Sequence, residues 1–120
     1  MADMDGAPAD RNRIAFAGWD KRMRESIRPL LTKKIIAEHK RDPVGIHSDA
    51  LDRILNYFRR PNLLGHYAIV CTRPFKQWRV ARIAAGPGQS PVFVDERTYS
   101  SEARAAHAVF LLRIEQTMRD

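Results

Sequence analysis

Four histidines (His39, His47, His66 and His107), a single cysteine (Cys71) and an aspartate pair (Asp49 and Asp52) are the side chains here that could most readily do chemistry. A protein-bound transition metal needs three or four converging donors, often two of them four residues apart on one helix. No two of the histidines have that spacing, and one cysteine supplies neither a thiolate cluster nor an internal disulfide. As a nucleophile Cys71 would need a neighbouring base. Its place in the apolar run HYAIVCT makes a buried structural thiol the expected role. Asp49 and Asp52 lie in the first turn after Ser48, where carboxylates complement the positive end of a helix, and capping accounts for them better than acid–base catalysis. The glycines of GPG, Gly86 and Gly88, are followed by neither the lysine nor the helix start of a phosphate loop, so they mark a turn. No nucleophile elbow and no HExxH motif occurs. The expectation is that this chain contributes no catalytic residue, no cofactor-binding residue and no metal ligand.

The elements that would carry these residues are legible from periodicity. Residues 1–10, MADMDGAPAD, read as a flexible leader, and residues 11–120 as one helix-rich domain. From a possible cap at Asp10, the residues Phe16, Trp19, Met23, Ile27 and Leu30 recur at steps of three and four, predicting a helix near 12–28. Pro29 removes a backbone donor and restrains Arg28, so a break is expected there, followed by a second helix near 30–40 carrying Leu31, Ile35 and Ile36. A loop punctuated by Pro43 and Gly45 leads to Ser48, which should cap a helix over 48–60 with Leu51, Ile54, Leu55 and Phe58 on its apolar stripe, ended by Pro61. The period then changes. HYAIVCT and WRVARIA, joined by RPFKQ, predict a β-hairpin over 66–84, with its buried face undecided, and VFV (92–94) could add a short third strand. Ser101 should cap a last helix over 101–118. The fold class is therefore α+β: a small helix-rich domain with a β-hairpin or small antiparallel sheet.

The last helix is apolar on two sides. At about 100° per residue, Phe110, Leu111, Ile114 and Met118 share one arc with His107, while Ala105, Ala108, Val109 and Leu112 form a second, roughly opposite. Seams holding Arg113 and Thr117 on one side and Glu115 on the other separate them. One arc can cover the hairpin; the other requires the N-terminal helices or another chain. His107 is expected to be a buried histidine bonded to a carbonyl or a neighbouring side chain. The alternative is a histidine reaching into a partner's site.

Composition bounds the partners. With 44% hydrophobic and 29% charged residues, the chain is of the soluble globular type. No apolar run approaches the roughly 20 residues that span a bilayer. The acidic start lacks the features of a secretory signal, and the single cysteine, which allows no internal disulfide, makes a cytoplasmic location the expectation. The net charge of +7 resides in one stretch: residues 11–41 hold ten Lys or Arg against Asp20, Glu25 and Glu38, and the rest of the chain balances. Such a stretch could face nucleic acid, an acidic protein, or solvent.

Several motifs occur in an order and spacing that carry a resemblance: DPVGIHS, NYFRR, LLGHYAIV, DERTYSSE and AHAVFLLRIE, from about Asp42 to Glu115. Together they resemble the small subunit of N,N-dimethylformamidase, and the first forty residues match less clearly. The resemblance implies a heteromeric amide hydrolase. Its large subunit would carry a mononuclear iron, held by tyrosines and a carboxylate, that activates water against a formamide carbonyl to give formate and an amine. This chain would be the non-catalytic companion, meeting the small amide substrate only through the large subunit. Its own tyrosines, Tyr57, Tyr67 and Tyr99, are not carried over as iron ligands.

A companion subunit needs an apolar interface. Phe16, Trp19, Tyr57, Phe110, Leu111, Ile114 and Met118 are the candidate interface residues, from the first helix, the third and the last. The alternative is a basic nucleic-acid-binding module. It is disfavoured because the cations alternate with core-type residues and no RNA- or DNA-binding motif is present.

Overall fold

The computed structural model describes residues 6–59, 66–83 and 90–119. In chain order these form α1 (Gly6–Ile27), a 3-10 turn (Arg28–Leu30), α2 (Lys33–Arg41), α3 (Asp49–Arg59), β1 (His66–Arg73), β2 (Gln77–Ile83), β3 (Val92–Phe93) and α4 (Glu102–Arg119). The strands make one antiparallel sheet in the order β1-β2-β3. This is the expected α+β architecture.

The boundaries follow from local chemistry. The break at Pro29 falls where the missing N–H and the restriction on Arg28 place it. α2 starts at Lys33, not at Leu30, because Thr32 takes an extended backbone and its Oγ1 accepts the Ile35 N–H at 3.3 Å. The apolar spacing of Leu30 and Leu31 concealed that cap. Ser48 and Ser101 cap α3 and α4 as expected, accepting the N–H of Leu51 at 3.3 Å and of Arg104 at 3.2 Å. α1 begins at Gly6, earlier than a start near residue 12. Met1–Asp5, Pro61 and the GPG turn lie outside the described residues.

The α2–α3 connection is tied on both sides. The Ser48 N–H and hydroxyl both donate to the Glu38 carboxylate, at 2.7 and 2.8 Å, and these two bonds hold the Glu38 carboxyl below the usual carboxylate range. A side chain at Gly45 would meet the Asp42 carboxylate, the end of an exposed side chain that can turn aside.

The core lies between the helices. Ile27, Ile35, Leu51, Ile54, Leu55, Tyr57, Phe58 and Phe110 are buried together, with Met23, Leu30, Ile36 and Ile114 among those packed against them. Arg28 joins the two ends of the domain: its Nε donates to the Thr117 carbonyl at 2.9 Å, a cation at the negative end of α4.

α4 also carries the sheet. Gln116 Nε2 donates to the Tyr67 hydroxyl at 2.9 Å, and the Arg113 guanidinium lies 5.2 Å from the Tyr67 ring centre. Tyr67, Ile69 and Cys71 pair with Arg82, Val80 and Trp78, and alternation puts these six on one sheet face. That face, with Val80 buried, is the one turned to α4. Beyond β3 the chain stays on β2: Trp78 and Tyr99 exchange backbone hydrogen bonds of 2.9 and 2.8 Å. The hairpin tip projects past this cover. Cys71 is accordingly exposed, its Sγ 3.3 Å from the Arg73 carbonyl, which corrects the expectation of a buried thiol.

Candidate functional site

Three histidines far apart in sequence come together. His39, buried at the end of α2, stacks on Phe110 with ring centres 4.0 Å apart, on His107 at 5.1 Å and on His47 at 6.1 Å. Nδ1 of His39 lies 2.8 Å from Nδ1 of His107, so one ring donates and the other accepts, which two neutral rings of opposite tautomer can do. Burial pushes the His39 imidazole down to about 4, aided by His107 and His47, and burial together with Lys40 lowers His107. His107 thus bonds a neighbouring side chain, as expected, and is half-buried. The signal for His39 was in the sequence: it follows Ile35 by four residues and Ile36 by three, on the apolar face of α2.

The stack is not a metal site. His47 turns its Nε2 to the Asp42 carbonyl at 2.6 Å, and no group of three or more His, Cys, Asp or Glu among the described residues could hold a metal ion. Two of the tyrosines are likewise engaged: Tyr57 donates to Asp20 Oδ1 at 2.9 Å, and Tyr67 accepts from Gln116.

Asp20 is a buried carboxylate on the inner face of α1. It is fully buried, accepts from Tyr57, and accepts from Arg24 Nη2 at 3.3 Å. Burial pushes the Tyr57 phenol up to about 12, and the bond to Asp20 adds to this. Arg24 and Arg28, two cations of the basic stretch, therefore work inside the domain.

The candidate interface residues divide. Tyr57 and Phe110 belong to the chain's own core, at 1% and 2% exposure, and Ile114 packs against it. Trp19 is half-buried, and the Phe16 side chain lies outside the described residues. Leu111 and Met118 remain exposed, at 42% and 54%. The arc Phe110–Leu111–Ile114–Met118 is therefore split. The seam holding Arg113 and Thr117 is the buried middle of α4: Thr117 satisfies its hydroxyl on the Arg113 carbonyl at 2.8 Å, and Arg113 lies under Tyr67.

Beside Leu111 runs an open groove of about 810 Å³ between α4, β2 and the segment after β3. Its floor is Val80, Val94, Ala108, Leu111 and Leu112; the C-terminal end of α2 and the loop of DERTYSSE close its sides. That loop is held by Arg79, whose Nη2 donates to the Asp95 carbonyl at 2.6 Å and whose guanidinium sits 3.8 Å over the Phe93 ring. Asp95 Oδ1 in turn accepts the Arg97 N–H at 2.9 Å. Two of the stretches that carry the family resemblance, DERTYSSE and AHAVFLLRIE, thus meet along one groove.

The profile of the N,N-dimethylformamidase alpha subunit matches residues 14–120. The N,N-dimethylformamidase alpha subunit of Paracoccus aminophilus is 35% identical over 116 residues, covering 92% of this chain and 81% of its own length. That of an Alcaligenes species is 37% identical over 111 residues, covering 88% and 83%. This chain belongs to the N,N-dimethylformamidase alpha-subunit family. The match begins within α1, so the basic helix lies inside the family region, and the resemblance does not stop near Asp42.

Proposed function

We propose that this chain is the small, non-catalytic subunit of a heteromeric amide hydrolase of the N,N-dimethylformamidase type, working in the cytoplasm. The iron that polarises the formamide carbonyl and activates water would sit on a larger subunit. The observation that carries this reading is family membership over nearly the whole chain. Two features of the described residues support it. His39 and His107 bond each other, Tyr57 and Asp20 do the same, and no group of three or more His, Cys, Asp or Glu among the described residues could hold a metal ion. Leu111 and Met118 stand exposed on a helix whose other apolar residues are at least half-buried, as an interface helix requires. No helix among the described residues is long and apolar enough to cross a membrane.

The test is expression of the chain alone and together with a candidate larger subunit. Alone, it is expected neither to retain iron after desalting nor to hydrolyse dimethylformamide. Together, the two chains should co-elute in size-exclusion chromatography, with iron and activity in the joint peak. Stoichiometric iron in the single chain, or its separate elution, would overturn the reading.

A further inference from the structure

The groove beside α4 has a floor and a rim of different chemistry. Val80, Val94, Ala108, Leu111 and Leu112 make the floor apolar. Four cations stand at its edge: Lys40 and Arg41 at the end of α2, Arg97 on the loop and Arg104 on α4. The edge has two carboxylates, and both already have partners. Glu115 bonds Arg119 at 2.8 Å, and Asp95 faces Arg97 at 4.0 Å. Lys40, Arg41 and Arg104 are in no salt bridge among the described residues. An apolar trough whose rim carries four cations against two carboxylates asks for an occupant with the opposite arrangement.

We propose that this groove receives an acidic segment of another subunit of the enzyme, seating an apolar side chain against Leu111 and turning carboxylates to Lys40, Arg41 and Arg104. The inference rests on the subunit reading above and says which surface the assembly uses and what chemistry it meets there. Size disfavours the amide substrate as occupant. At about 810 Å³ the groove is near the upper end of the roughly 300–1,000 Å³ of whole ligand pockets, so a molecule of a few heavy atoms would fill only a small part of it. Charge disfavours a second copy of this chain, since both would carry +7. Nucleic acid would satisfy the rim, but its phosphates would leave the floor uncovered and meet Asp95 and Glu115. A protein segment satisfies both parts, burying the apolar floor while pairing charges at the edge, where they steer association and fix register.

The experiment places the photoreactive residue p-benzoylphenylalanine at position 111 in the co-expressed, co-purified assembly. Irradiation is followed by mass spectrometry of the linked peptides. Leu111 is exposed, so the replacement leaves the core intact, and circular dichroism checks this. The expected result is linkage to one segment of the other subunit that contains several Asp or Glu. In parallel, Lys40→Glu with Arg104→Glu should weaken assembly roughly tenfold or more and remove most of its sensitivity to salt, with an unchanged thermal midpoint of the chain alone. Linkage to a second copy, to co-purified nucleic acid or to no other molecule, or full assembly of the double variant, would overturn the proposal. If the unmodified chain joins no other subunit at all, the subunit reading itself fails, a result visible before any irradiation.

Discussion

Tyr57→Phe removes one hydroxyl from the centre of the domain and leaves the ring's packing in place. The hydroxyl donates to Asp20 Oδ1 at 2.9 Å, and both residues are essentially inaccessible, at 1% and 0% exposure. Without it the carboxylate keeps Arg24 at 3.3 Å, a long contact, and one acceptor site loses its donor in a place water does not reach. A hydrogen bond to a charged group contributes about 1.5–3 kcal/mol, so a loss near 2 kcal/mol is expected. For a chain of this length each kcal/mol corresponds to about 3–6 °C in Tm, which places the variant roughly 6–12 °C below the parent. Urea unfolding followed by far-ultraviolet circular dichroism measures the same quantity, and an unchanged m value would show that the denatured state is not the cause. Adding Asp20→Asn closes a double-mutant cycle whose coupling should reach about 1 kcal/mol or more. If Tyr57→Phe is within about 0.5 kcal/mol of the parent yet weakens association with a larger subunit, the Tyr57 hydroxyl serves the interface and its bond to Asp20 does not hold the core.

Three further outcomes are expected. His39 and His107 both have folded-state values lowered from the usual 6.5, so between about pH 6.5 and 4 the unfolded chain binds protons that the folded chain refuses, and stability falls as pH falls. For His39 alone the loss from pH 7 to 5 is about 2 kcal/mol; His39→Gln should flatten that part of a Tm-against-pH curve, and an unaltered slope would refute the assignment. Phe75 holds the hairpin turn at φ 59° and is almost fully exposed, so Phe75→Gly should raise stability by about 0.5–1 kcal/mol in thermal unfolding, the relief of left-handed strain less the entropy glycine loses. Gly45→Ala should shift stability by no more than about 0.5 kcal/mol, because the exposed Asp42 carboxylate can turn away from the new methyl group, and a loss above about 1 kcal/mol in thermal unfolding would show that the carboxylate is fixed.

Local signals were legible in the residues where a short-range rule decides. Ser48, Ser101 and Pro29 set helix limits through bonds made or refused within four residues, and the change of period at His66 marks the hairpin. Properties set by distant packing were not. Cys71 sits in an apolar run, yet its exposure depends on how far α4 reaches along β1, which no local pattern encodes. Asp20 was legible only as a carboxylate among cations. Its spacing of three and seven residues from Met23 and Ile27 places it on the buried face of α1, but the partner that makes burial tolerable, Tyr57, lies 37 positions on.

In the last helix, side-chain polarity conceals which line is buried. A count of apolar residues splits α4 into two greasy arcs with Arg113 and Thr117 as a wet seam. Polarity is a poor guide to burial where a side chain can satisfy itself. Thr117 bonds the Arg113 carbonyl one turn back, and the Arg113 guanidinium finds the Tyr67 ring, though burial lowers its proton affinity. The polar seam can therefore be the line along which α4 is clamped, with Phe110 and Ile114 reaching the helical core on one flank and Ala105, Val109 and Leu112 facing the sheet on the other. A helix inserted by its middle uses its flanks for the fold and keeps one strip outward. That strip carries Arg104, Leu111, Glu115 and Met118, and all of these but Met118 line the groove. The two-sided demand of α4 is thus met within the chain, and the surface left for another subunit is the narrower strip and the trough beside it. Leu111→Asp should accordingly leave the isolated chain folded and weaken assembly, while Leu112→Asp, half-buried on the sheet side, should destabilise the chain itself.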